Sequence, residues 1–263
     1  MRSPITGTAA GVPFTALPPA DGGAAPLLVT WHMLDAPRSD AAFAAALPMR
    51  DLPAWRVHLG MPMCGARMVD GSTDAIVALF REDPLMAYLH PFVRQATEEF
   101  PAALASIRAQ LPVDGGPIGV LGGSLGGAVA LRVLADTDVP VVAGAVVNAA
   151  IRMRSVVDLF PGDYPYDAES EKAVAGLDFL ARADALRRAP LLVVSGELDH
   201  PGLRADALAL AEVPGVELRS IPGLAHPLAD EPGIEPAPQL PAAREVDAAL
   251  TAWFRRHLTG TAG

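Results

Sequence analysis

Apolar residues along this chain gather in short unbroken runs, set apart by longer stretches with helical spacing. Leu27–Trp31, Ile118–Leu121, Val141–Val147 and Leu191–Ser195 are apolar at nearly every position. A strand with one wet face alternates, whereas a strand covered on both faces does not. These runs therefore predict central parallel strands. Trp55–Gly60 and Val216–Ile221 alternate and predict further strands, with Trp55, Val57 and Leu59 on one face. Between them, helices are predicted over Asp40–Leu47, capped by Ser39 or Asp40 and stopped before Pro48, and over Leu125–Ala135, Gly202–Ala211 and Ala242–His257. Asp83-Pro84 reads as the cap and first position of another helix, and apolar residues recur at helical spacing from Leu85 to Ile107. Pro91 and Pro101 argue against one straight helix there. Val12–Leu17 is expected to be a short edge strand and the rest of residues 1–26 loop, with residues 61–83 a long connection and 230–241 another loop. Strands alternating with helices imply an α/β fold with a doubly wound, mostly parallel sheet.

Residues 150–188 break this rhythm. They hold Phe160-Pro161-Gly162-Asp163-Tyr164-Pro165-Tyr166 and then charge-rich helical sequence. The segment is expected to be a helical, lid-like insertion over one end of the sheet of a single domain spanning 1–263.

Composition narrows the class of partner. The 263 residues are 51% hydrophobic but only 5% aromatic, so the core is expected to rest on Ala, Val and Leu. The net charge of −10 repels nucleic-acid phosphates and anionic membranes, and no basic cluster offsets it. No nucleic-acid or membrane partner is expected. No apolar stretch approaches the ~20 residues of a membrane span. The start, Met1–Thr6, has no apolar run and does not read as a secretory signal, so a cytoplasmic location is the expectation. Cys64 is the single cysteine and reads as a structural thiol. No His-rich or Cys-rich spacing suggests a metal site, and no metal or cofactor is expected.

The chemistry is concentrated in Gly122-Gly123-Ser124-Leu125-Gly126, between a predicted strand and a predicted helix. Strand, G-x-S-x-G, helix is the arrangement of a nucleophile elbow, in which a serine hydroxyl projects from a strained turn. A serine needs a base to take its proton, and a histidine base needs a carboxylate to orient it. Ligands of parallel sheets bind at the carboxyl ends of the strands. Two late strands end in suitable groups: Gly196-Glu197-Leu198-Asp199-His200 follows one, and Gly223-Leu224-Ala225-His226 follows the other. The order Ser124, Asp199, His226 is the order that accompanies the elbow. Glu197 is the rival acid. His200 is expected to be solvated.

With these pieces the chain resembles the serine hydrolases of the α/β-hydrolase fold, over about Leu27 to Leu258, and more faintly small bacterial esterases and dienelactone- or prolyl-peptidase-like members. The resemblance implies Ser124 as nucleophile, Asp199 as orienting acid and His226 as base, without a cofactor. It also implies an oxyanion hole with one donor from Leu125. Such enzymes often carry His-Gly after the early strand, where this chain has His32-Met33-Leu34. The second donor is therefore Leu34 or Met33, according to register, and a bulky Met33 is expected to narrow the pocket. Phe160, Tyr164 and Tyr166 are either walls of a substrate pocket or anchors of the insertion, and His32 either touches substrate or fixes its own loop. The implied activity is hydrolysis of a carboxylic ester of a small or medium acyl substrate. Thioesterase, lactonase or peptidase activity would use the same groups, and a non-catalytic small-ligand binding protein is the reading from another class.

Overall fold

The alternating runs become an eight-stranded sheet with helices on both faces. This computed structural model describes residues 3–258; the first two and the last five residues of the domain expected over 1–263 lie outside the described residues. Strands β1 (Ile5–Ala9) and β2 (Val12–Leu17) form an antiparallel hairpin. Ala10 and Gly11 join them with φ of 48° and 88°, the two left-handed residues that suit the twist of a two-residue hairpin. Loop was expected over Ile5–Ala9. Its residues are exposed up to Ala9 and carry no apolar alternation, so nothing in the pattern marked a strand. β1, not β2, is thus the edge of the sheet.

The chain continues through β3 (Ala25–Trp31), helix α1 (Asp40–Ala46) and β4 (Trp55–Leu59). Ser39 caps α1, its hydroxyl accepting from the Ala42 N–H at 3.1 Å. The expected connection 61–83 contains a helix, α2 (Asp74–Glu82), none of whose residues is fully buried. The cap at Asp83 accepts from the N–H groups of Leu85 and Met86 and opens a wide, π-type turn over Pro84–Leu89, which runs into α3 (His90–Gln110). Pro101 lies inside α3 without ending it. Then follow β5 (Val113–Gly123), α4 (Ser124–Asp136), β6 (Val141–Val147), three short helices α5 (Met153–Val157), α6 (Ala168–Gly176) and α7 (Ala183–Leu186), β7 (Leu191–Gly196), α8 (Pro201–Ala211), β8 (Val216–Ile221) and α9 (Pro241–Leu258).

The strand order is β1-β2-β4-β3-β5-β6-β7-β8, with β4 through β8 parallel to β3. Side-chain alternation sorts the core into two layers. Leu27, Val29 and Trp31 pack with α3 and α4, and Leu28 packs with α1 and α9 residues such as Phe43 and Phe254. From β3 the chain steps outward to β4, then crosses back to β5 on the other side of β3. Loops leaving β3 and β5 therefore diverge and leave a crevice at their carboxyl ends, the usual place for a ligand in such a sheet. No helix among the described residues is long and apolar enough to cross a membrane, and none of their His, Cys, Asp and Glu side chains form a group placed to hold a metal ion.

Candidate active site

β5 ends at Gly123 and α4 begins at Ser124, with no residue between. Ser124 has φ of +48°, a region that residues with side chains seldom adopt. The flanking glycines are there because backbone lies against them. A Cβ on Gly122 would sit 2.0 Å from the Gly126 carbonyl oxygen, and one on Gly126 only 2.4 Å from the carbonyl oxygens of Trp31 and His32. The G-x-S-x-G spacing is thus a packing requirement, and it aims Ser124 into the crevice from the first turn of α4. Backbone N–H groups and the positive end of the helix dipole face the same way.

The histidine arrives from the opposite strands. A Cβ on Gly196 would meet the Leu224 carbonyl oxygen at 2.3 Å, so the loop after β8 lies directly on the end of β7. His226 Nε2 is 2.9 Å from Ser124 Oγ, and its Nδ1 is 2.8 Å from Asp199 Oδ1. Asp199 is buried and also accepts from the His200 N–H at 2.7 Å. Glu197 accepts from the Ser220 hydroxyl at 3.4 Å, and it is Asp199 that contacts the ring.

Two further residues belong to this group. Asn148 follows β6 with φ of +45° and is buried. Its Nδ2 donates to the carbonyls of Ala225 and His226 at 2.8 and 3.0 Å, and its Oδ1 accepts from the Gly196 N–H at 2.8 Å. One side chain thereby ties the histidine loop to the end of β7. Asp35, in the loop after β3, places Oδ2 3.3 Å from His226 Nε2. The only signal for either in the sequence is position: each is a polar residue just past an apolar run. Burial alone would keep His226 neutral, but hydrogen bonds to Asp199 and Asp35 and their negative charges outweigh it and push its pKa up to about 9. In return, the bond to His226 holds the Asp35 carboxyl below its ordinary value.

Ser124 and His226 open onto a cavity of about 430 Å³. Leu34 and Leu125 line it beside the serine. Met33 does not narrow it: past the end of β3 the chain leaves the strand's alternation, and the Met33 side chain is buried in the layer of Leu28 and Phe43, beneath Gly123. His32 is buried, with Nδ1 2.6 Å from the Met33 carbonyl and Nε2 accepting from the Met61 N–H at 2.9 Å. Both ring nitrogens are spent on backbone, so His32 fixes loops. Burial pushes its pKa down to about 4. Phe160 lines the cavity, with Phe80 edge-on at 4.8 Å. Tyr164 and Tyr166 lie outside the lining. Tyr164 donates its hydroxyl to Asp83 at 2.9 Å, and Tyr166 packs under Arg154 at 4.0 Å. His200 is exposed yet lines the mouth, its ring 5.6 Å from that of His226. Cys64 is buried, which pushes its thiol up to about 12, and it is inert as a nucleophile at neutral pH. A larger hollow, about 840 Å³, lies by β2 and α1, with Leu17, Ala41, Ala44 and Pro48 in its wall and no serine–histidine pair. Chemistry, not volume, singles out the smaller one.

No family model and no curated protein sequence matches the chain. Solved structures do. TT1662 from Thermus thermophilus superposes with a TM-score of 0.64 at 21% identity, over 96% of this chain and 98% of that one. The esterase domain of a Rhodothermus marinus protein gives 0.64 at 16% identity, over 98% and 100%. The acylaminoacyl peptidase of Pyrococcus horikoshii gives 0.65 at 15% identity, over 98% of this chain but 42% of that one. Together with the sheet order and the serine at the strand-to-helix turn, these likenesses identify the architecture as the α/β-hydrolase fold.

Proposed function

We propose that the protein is a cofactor-independent serine hydrolase acting on a carboxylic ester of a small or medium acyl substrate. The observation that carries this reading is the unbroken chain from Asp199 Oδ1 through His226 to Ser124 Oγ, with separations of 2.8 and 2.9 Å, at a left-handed serine facing a cavity. Ser124 Oγ attacks the acyl carbonyl as its proton passes to His226 Nε2. The oxyanion is held by the Leu125 N–H and that of Leu34, the residue of the β3 loop that lines the cavity. His226 then gives the proton to the leaving alcohol. Water, deprotonated by the same nitrogen, releases the acid and restores Ser124.

The apolar lining formed by Phe80, Leu89, Val156, Leu159 and Phe160 suits an uncharged acyl chain. Ester is preferred to peptide because the wall beside Ser124 is mainly apolar around a cavity of about 430 Å³. A fluorophosphonate probe is expected to label the protein at Ser124, and Ser124→Ala to lose both labelling and p-nitrophenyl ester hydrolysis, the latter by about 10⁴-fold or more in kcat. A folded protein that neither labels nor turns over esters, thioesters or lactones would instead be a ligand-binding member of the fold.

A further inference from the structure

We propose that Asp35 is a second carboxylate partner of His226, placed on the ring nitrogen that faces Ser124, and that it favours the charged imidazole over the free base. The proposal deepens the serine-hydrolase reading and rests on it for its catalytic meaning, though the pairing itself is a matter of geometry.

Asp35 is held where it is by backbone. The Leu228 N–H donates to the Ala36 carbonyl at 2.9 Å, and the Arg38 N–H to the Gly233 carbonyl at 2.8 Å. The loop after β3 and the loop bearing His226 are thereby stitched together on either side of the pair. A carboxylate only accepts hydrogen bonds. Asp199 at Nδ1 requires the proton on that nitrogen. In the neutral ring, Nε2 then carries a lone pair, which the Ser124 hydroxyl can satisfy and Asp35 cannot. In the charged ring, Nε2 carries a proton and the imidazole a full charge, which the Asp35 carboxylate faces as an ion pair across 3.3 Å. The two neighbours of Nε2 therefore select opposite protonation states: Ser124 selects the base, and Asp35 the acid.

The other groups around the ring do not cancel this bias. Asp199 comes from the loop after β7, and His200 lies beside the ring at 5.6 Å. Arg38, which acts on Asp35, is itself paired with Glu231. Tyr88, across the cavity, is kept neutral by burial. Two carboxylates thus face one imidazole, in keeping with its pKa of about 9. At pH 7 the charged ring is then the dominant form of His226. The same carboxylate stabilises the imidazolium of the tetrahedral intermediate, so its removal has opposite effects on the two arms of the pH profile.

The test is the pH dependence of kcat/KM for p-nitrophenyl acetate, alongside the titration of the His226 imidazole by NMR, in the wild type, Asp35→Asn and Asp35→Glu. Asp35 is half-exposed, with 53% of its side chain accessible, so neither substitution threatens folding. In Asp35→Asn the acid limb and the imidazole midpoint are expected to fall by about one pH unit or more. Activity at pH 6 then rises about tenfold while the alkaline plateau drops a few-fold, a weaker base being a poorer one. Asp35→Glu is expected to keep the wild-type midpoint. Unchanged midpoints in Asp35→Asn would overturn the pairing even if the enzyme is an active esterase. A lowered midpoint in a protein with no hydrolase activity would sustain the pairing and remove the hydrolase reading.

Discussion

A single methyl group decides whether the chain can turn at Ser124, since Gly122 and Gly126 each touch carbonyl oxygens at distances no Cβ tolerates. That constraint made the elbow legible in the sequence. The glycines are demanded by backbone contact, and the spacing stands out from ordinary turn glycine. Asp199 and His226 were legible through position, as the acid and histidine that follow the last two strands, and the structure brings both to within hydrogen-bond distance of their neighbours. Asn148 was not legible, because its role lies in bonds to residues 48 to 78 positions away. Its importance is measurable. Asn148→Ala leaves one buried N–H without an acceptor and two carbonyls without a donor, at ~1–3 kcal/mol for each group left unpaired. It also frees the loop that aims His226, and a displacement of about 1 Å in such a group costs on the order of 10²-fold in rate. The variant is expected to unfold at lower urea and to react with fluorophosphonate 10- to 100-fold more slowly. A lowered urea midpoint with an unchanged labelling rate would mean that Asn148 secures only the fold.

At the scale of elements, the central strands were readable because burial on both faces removes alternation, and the helices beside them because one face is apolar. The pieces that were missed are those with no core to signal them. α2 buries no residue, and β1 is exposed at its first four positions. α2 nonetheless carries Phe80, which meets Phe160 of the insertion at 4.8 Å, so the cavity wall is built from two separate segments. Grouping Phe160 with Tyr164 and Tyr166 by aromatic content hid a division of labour. Phe160 faces the cavity, while Tyr164 bonds to Asp83, which also caps the turn at Pro84. The two kinds of residue respond differently to change. Phe80→Ala and Phe160→Ala are expected to shift the ratio of kcat/KM for octanoyl over acetyl esters by 3-fold or more, by opening the wall. Tyr164→Phe is expected to lower stability by about 1 kcal/mol and leave that ratio alone. A Tyr164→Phe protein with altered chain-length preference would place this tyrosine in the substrate's path.

For the whole molecule, the histidines divide the pH scale. His32 and His58 are buried, and desolvation pushes them down to about 4 and about 3; His58 is bonded to the Thr30 hydroxyl at 2.8 Å. His90 and His257 are lowered in the same direction. Between pH 6.5 and 4 the unfolded chain binds protons that these rings refuse, so stability falls as acid is added. The two buried rings together cost on the order of a few kcal/mol. His226 acts with the opposite sign. Its folded pKa lies above the ordinary 6.5, so its contribution is complete below 6.5 and is lost as pH rises through about 9. Cys64, kept protonated up to about 12, takes stability away only above pH 9. The two histidine trends meet near pH 6.5, where the melting temperature is expected to peak, two or more pH units below the proposed rise in activity. The fold is thus most stable where its proposed base is mostly in the acid form. The Asp35→Asn protein is expected to flatten the fall in Tm between pH 6.5 and 9 and to leave the fall between pH 6.5 and 4 unchanged, because His32 and His58 do not touch Asp35. A calorimetric series at half-unit pH steps checks both arms. A Tm that keeps rising from pH 6.5 to 9 in the wild type would mean that His226 does not hold its proton more tightly in the folded chain than in the unfolded one.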